Sequence, residues 1–170
     1  IIFIGNKKQY KMIDVTCHST SDIYKDEINA RLESNDCVVR AIASSFEIKY
    51  SEAHSFVKDI FKREYRKGTS RTAMKMRKLE EAFGKTVKEL GIVISGEEYS
   101  GRQMKWPYKV KGEVKYASYT TAKFIKEFPT GTYFILVRGH AFTIKDGSIY
   151  GNTQDRGRAK ARIRQAFKIG

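Results

Sequence analysis

Proline is nearly missing from this chain, with two in 170 residues. That excludes a Pro-rich spacer or a stiff interdomain linker, and no internal repeat or low-complexity stretch takes its place. Cysteine is equally scarce. Cys17 and Cys37 are too few for the disulfide framework on which small secreted domains rely, so reduced thiols and a cytosolic setting are expected. Histidine occurs only as His18, His54 and His140, and no CxxC or HxxxH spacing exists. A structural zinc site is therefore not expected, and no metal or cofactor is implied. No apolar run comes near the ~20 residues that span a bilayer as a helix, so no membrane partner is expected. Ile1-Ile2-Phe3-Ile4 ends at Gly5-Asn6-Lys7-Lys8 with no basic segment ahead of it. It reads as a buried strand rather than a signal peptide. Acidic residues are few beside basic ones: 19 Asp and Glu against 33 Lys and Arg give a net charge of +14 and a pI near 9.8.

What is present describes one globular unit. A composition of 41% hydrophobic and 31% charged residues, over 170 residues, suffices for a single core under a highly charged surface. Asn35 or Asp36 is suited to cap a helix from Cys37 to Phe46, in which Val38, Ile42 and Phe46 share one face. Ser51 is expected to cap a second helix reaching Arg66, with Ala53, Phe56, Val57, Ile60, Phe61 and Tyr65 on its apolar stripe. Gly68 stops it. A third helix is expected from Thr72 to Phe83, with a further turn between Thr86 and Leu90. Strands follow at Ile92-Val93-Ile94 and Thr132–Val137. His140–Lys145 and Ser148–Gly151 pair around Asp146-Gly147, a dipeptide favoured in two-residue primed turns. Thr120 or Thr121 caps a short helix through Phe128. The segment from Glu97 to Tyr119 mixes basic and aromatic residues without a clear period. Helices first and an antiparallel sheet after predict an α+β fold.

Two segments carry chemistry. Asn35-Asp36-Cys37-Val38-Val39-Arg40-Ala41-Ile42-Ala43 sets a thiol at a helix N-terminus, and Gly139-His140-Ala141-Phe142 sets an imidazole at the head of a strand. The thiolate is the nucleophile, and a helix N-terminus supplies partial positive charge and unpaired N–H groups that stabilise it. A histidine in reach can take the thiol proton and return it to a leaving group. Alone, Cys37 would read as a small buried apolar residue, and His140 as an edge or core histidine.

With these pieces, and with Phe124-Ile125-Lys126, Gly131-Thr132-Tyr133, Asp146-Gly147 and Ile149-Tyr150, the chain resembles the papain-like cysteine peptidase superfamily over residues 33–155. It is similar to the small phage and bacterial branch related to bacteriocin-processing double-glycine peptidases. The resemblance implies a papain-like α+β domain over residues 1–155. Its N-terminal helical half carries Cys37 and packs on a C-terminal antiparallel sheet that carries His140. It also implies hydrolysis of peptide or isopeptide bonds by a Cys-His-Asn site, with a peptide or protein substrate, in a phage- or bacterium-encoded protein of the host cytoplasm or virion. Asn152 matches the orienting position, with Asp155 as the alternative. The superfamily commonly has a Gln six residues before the nucleophile; Arg31 stands there, so Asn35 or the Cys37 backbone N–H is expected to serve the oxyanion hole.

The charge suggests a second reading. Basic residues cluster over Lys62–Lys78, among the aromatics of Arg102–Tyr119, and in a tail holding Arg156, Arg158, Lys160, Arg162, Arg164 and Lys168. The spacing of Ala159, Ile163, Ala166 and Phe167 predicts that residues 156–170 form a basic helix docked on the domain. A net +14 exceeds what solubility needs, and it favours nucleic acid or another polyanion as partner. A catalytically inactive, polyanion-binding virion or host-interaction protein on the same scaffold is the alternative function. A basic rim that steers acidic peptide substrates is a further use of the charge.

Overall fold

Thr132–Val137 shows no polar alternation because both of its faces are covered. The structure, a computed structural model, describes residues 15–94, 97–99, 105–152 and 160–170. Ile1–Ile4, Asp155, Arg156 and Arg158 lie outside the described residues. In chain order the elements are β1 (Cys17–Ser19), α1 (Thr20–Ile23), α2 (Ile28–Leu32), α3 (Cys37–Phe46), α4 (Tyr50–Asp59), α5 (Arg77–Phe83), β2 (Val87–Glu89), β3 (Ile92–Ile94) and β4 (Glu97–Tyr99). Then come β5 (Lys105–Val110), β6 (Glu113–Ser118), α6 (Thr121–Glu127), β7 (Thr132–Val137), β8 (His140–Lys145), β9 (Ser148–Gly151) and β10 (Gln165–Ile169). This is a mixed α+β fold built on a six-stranded sheet of order β1-β9-β8-β7-β10-β2. The β1–β9 pair is parallel and the other neighbours are antiparallel.

The two-residue period of the strands sorts their side chains into two cores. Phe134, Leu136, Ala141, Phe167 and Ile169 face a layer made by Val39, Ile42 and Phe46 of α3, Tyr50 and Val57 of α4, and Leu79 of α5. Tyr133, Ile135, Val137, Phe142, Ile144, Ile149 and Ala166 face Tyr119, Phe124 and Ile163. Each fully buried Phe or Ile is worth about 1.5–3 kcal/mol. A strand buried on both sides therefore gains more from continuous apolar sequence than from alternation. Asp146 and Gly147 both have positive φ, 47° and 78°, as the primed turn between β8 and β9 requires. Lys111-Gly112, at 50° and 80°, does the same for β5–β6, the hairpin hidden in the segment of mixed basic and aromatic residues.

Several expected elements are shorter or of another type. Helix α4 ends at Asp59 rather than near Arg66. The chain then turns back, with Lys62 and Arg66 at positive φ, because Phe61 is buried and the Arg63 guanidinium reaches Glu33 at 2.6 Å. Its start is capped from a distance: the Glu27 carboxylate accepts the N–H groups of Tyr50 (3.0 Å) and Ser51 (2.9 Å). Helix α5 begins at Arg77, not Thr72, and residues 87–89 are strand β2 rather than a helical turn. The predicted C-terminal helix is also overturned within the described residues. Residues 165–169 are strand β10, inserted between β7 and β2. Ala166 enters one core while Phe167 and Ile169 enter the other. Helical spacing and a strand buried on both faces are indistinguishable over so short a segment, and the hydrogen-bonding edges of β7 and β2 decide the outcome.

Candidate active site

Helix α3 is held by polar contacts at both its first turn and its middle. Asp36 occupies the N-cap position without a side-chain capping bond. Its carboxylate instead accepts from Arg40 Nε at 2.9 Å and Tyr50 Oη at 2.7 Å. Arg40 also donates to the Ala30 carbonyl at 3.0 Å, which ties the helix to α2. Farther along, Thr143 Oγ1 of β8 donates to the Ala41 carbonyl at 2.8 Å. The strand that begins at His140 is thereby fixed against the helix that begins at Cys37.

His140 opens β8, opposite Val137 of β7, after the two-residue turn Arg138-Gly139 in which Gly139 takes φ 66°. Its imidazole shares one cleft with the Cys37 thiol and lies near enough to act on the thiol's pKa. Burial is the strongest influence on that thiol and pushes its pKa up. The ring and charge of His140, with backbone N–H groups of Ala141 and Val38, together outweigh burial and leave the thiol below its ordinary value. Cys37 and His140 share a cleft of about 290 Å³. Its remaining wall comes from the ends of β7 and β8, from Arg164 just before β10, and from Thr69, Arg71 and Met74 between α4 and α5.

The other expected site residues fall in different places. Asn152 is half-buried directly after β9, and its carbonyl accepts from the Cys17 thiol at 3.6 Å. The β8–β9 ladder ends at the Thr143–Tyr150 pair, so Asn152 lies two residues beyond it. Asn35 is exposed at φ 52°. Its Nδ2 donates to the Arg66 carbonyl at 3.0 Å, and it does not line the cleft. Of the tail arginines within the described residues, Arg164 lines the cleft, while Arg162 bridges to Thr120.

Arg63 leaves the basic-patch inventory, being 7% exposed and bonded to Glu33 and to the Ser34 carbonyl. The sequence reading did not single out Thr69, Arg71 or Met74 as cleft residues. Arg71 appeared there only as one charge in a run, and no local pattern distinguishes a cleft wall from a solvated loop. Among the described residues, no group of three or more His, Cys, Asp or Glu side chains is positioned to hold a metal, and no helix is long and apolar enough to cross a membrane. No protein-family model matches the chain, and no curated protein or solved structure matches it either.

Proposed function

We propose that this protein is a papain-like cysteine peptidase, a thiol hydrolase of peptide or isopeptide bonds. The observation that carries the reading is that Cys37, at the first position of α3, and His140, at the head of β8, line one open cleft, with the thiol pKa lowered there. Cys37 Sγ, as thiolate, attacks the acyl carbon, a C–S bond forms, and the carbonyl electron pair moves to oxygen. The backbone N–H of Cys37 at the uncapped helix start donates to that oxyanion. Asn35 joins only by exchanging its bond to Arg66. Collapse breaks the C–N bond, and the His140 imidazolium delivers its proton to the leaving amine. Water then adds to the thioester, His140 accepts its proton, and the thiolate departs. Asn152 acts as a positioning residue for the imidazole.

Alkylation of Cys37 by iodoacetamide across pH tests this. Reaction is expected to persist well below the ordinary thiol pKa and to slow when His140→Ala removes the partner. A Cys37 that reacts only after denaturation would overturn the proposal.

A further inference from the structure

We propose that the β5–β6 hairpin is a binding site for single-stranded nucleic acid, in which a base stacks on Tyr108 and the lysines around it hold the phosphates. This inference is independent of the thiol chemistry. The hairpin is a two-stranded ribbon separate from the six-stranded sheet. Its register sets Trp106 opposite Ala117, Tyr108 opposite Lys115 and Val110 opposite Glu113 on one face. The other face holds Lys105 with Ser118, Pro107 with Tyr116 and Lys109 with Val114. On the first face Trp106 packs against the core around Phe124 and has Lys123 of α6 4.0 Å from its ring centroid. That contact seats the base of the ribbon on the domain. Tyr108 continues the row outward, its ring centroid 5.4 Å from that of the indole. It belongs to neither core and is only half-buried.

Residues 105–118 carry four lysines against one carboxylate, Glu113. Lys109, Lys111 and Lys115 are exposed. Among the described residues no ion pair engages these four lysines, whereas lysines elsewhere on the surface meet a glutamate. An open aromatic ring among unpaired cations fits a single strand. Its unpaired bases offer π faces to the ring, and its phosphates supply the missing anions. A duplex keeps its base faces inside its own stack and offers phosphates alone. An anionic lipid surface shares the charge complementarity. The ribbon's rings, however, lie along its flank and its tip is Lys111-Gly112, so insertion would lead with a cation rather than a ring.

Trp106 is the single tryptophan of the chain, so indole fluorescence reports on this site. The full chain is titrated with a single-stranded oligodeoxythymidylate and with a duplex of the same length. The single strand is expected to quench Trp106 and to bind about tenfold more tightly than the duplex. Tyr108→Ala should raise Kd by about tenfold, while Tyr108→Phe, which keeps the ring, should bind like wild type. Tyr116→Ala, on the opposite face, should change Kd little. Lys115→Gln, at an exposed position, should make the slope of log affinity against log salt shallower by about 0.7.

Equal affinity for single strand and duplex overturns the proposal, because charge then acts without stacking. Binding without quenching overturns it by placing the site elsewhere, and so does a loss in Tyr116→Ala that Tyr108→Ala does not show. Where Tyr108→Ala disrupts the ribbon, Lys115→Gln still decides: an unchanged salt slope overturns the proposal. A blue-shifted Trp106 emission on vesicles of equal phosphatidylserine and phosphatidylcholine, with no response to the oligonucleotide, overturns it in favour of a lipid surface.

Discussion

Burial alone would make Cys37 an inert thiol. Its activation depends on neighbours delivered by β8: the His140 ring and the Ala141 N–H. Glu33 carries another shifted group, its side chain buried with Arg63 at 2.6 Å and with His54 Nε2 at 3.1 Å. Burial would raise the pKa of its carboxyl, but those hydrogen bonds prevail and hold it at about 2, below the ordinary 4.5. A lowered folded pKa means that this stabilisation is present above about 4.5 and is lost as pH falls toward about 2. Urea midpoints across that window should therefore fall for wild type, and less steeply for Glu33→Gln. Removing the guanidinium with Arg63→Met leaves the buried carboxylate with only the His54 ring and the Arg66 N–H and is expected to cost up to about 3–5 kcal/mol at neutral pH. Asn152 is tested by function rather than stability. Asn152→Ala should lower kcat by about 10²-fold with little change in KM, and an unchanged kcat would remove its positioning role.

At the scale of elements, the β8–β9 hairpin, strand β7 and helices α3 and α6 were legible, whereas the end of α4, the start of α5, the β5–β6 hairpin and strands β2 and β10 were not. Asp146-Gly147, Thr120 as the cap of α6 (Oγ1 accepting from the Lys123 N–H at 3.2 Å) and the apolar run of β7 are local signals, complete within a few residues. Helix α4 stops early because of Glu33, thirty residues away from Arg63 in sequence; no window around Asp59 contains that information. Strand β10 depends likewise on β7 and β2. Of the candidate site, the thiol and imidazole were legible by residue type and order, whereas the Arg71–Arg164 wall was not, because it exists only after the chain folds. Two measurements check the elements. Amide exchange at Ala166, Phe167 and Lys168 should be among the slowest in the protein, since β10 is an interior strand; exchange as fast as in a frayed terminal helix would contradict the ladder. Thr143→Val, which removes the bond to Ala41, should cost about 0.5–1.5 kcal/mol in urea unfolding and should weaken the pH dependence of Cys37 alkylation by loosening β8 on α3.

For the whole molecule, the excess of 33 basic over 19 acidic residues is only partly accounted for by internal pairing. Arg40 and Arg63 are buried and bonded to Asp36 and Glu33, and Lys145 and Lys85 share Glu47. On the β5–β6 hairpin, Lys105 and Lys109 alternate with Trp106 and Tyr108, and Lys123 lies 4.0 Å from the Trp106 ring centroid. Such a surface attracts polyanions through released counterions and not through base recognition. Retention on single-stranded DNA should therefore fall steeply with salt, with little preference for sequence, and should be unchanged by Cys37→Ala, because the dyad contributes no fixed charge to that surface. The iodoacetamide rate at Cys37 should be nearly indifferent to the same salt, since a neutral reagent meeting a partly buried thiolate is not steered. DNA retention lost together with Cys37 would tie binding to the cleft instead, and no retention even at low salt would count against a polyanion partner.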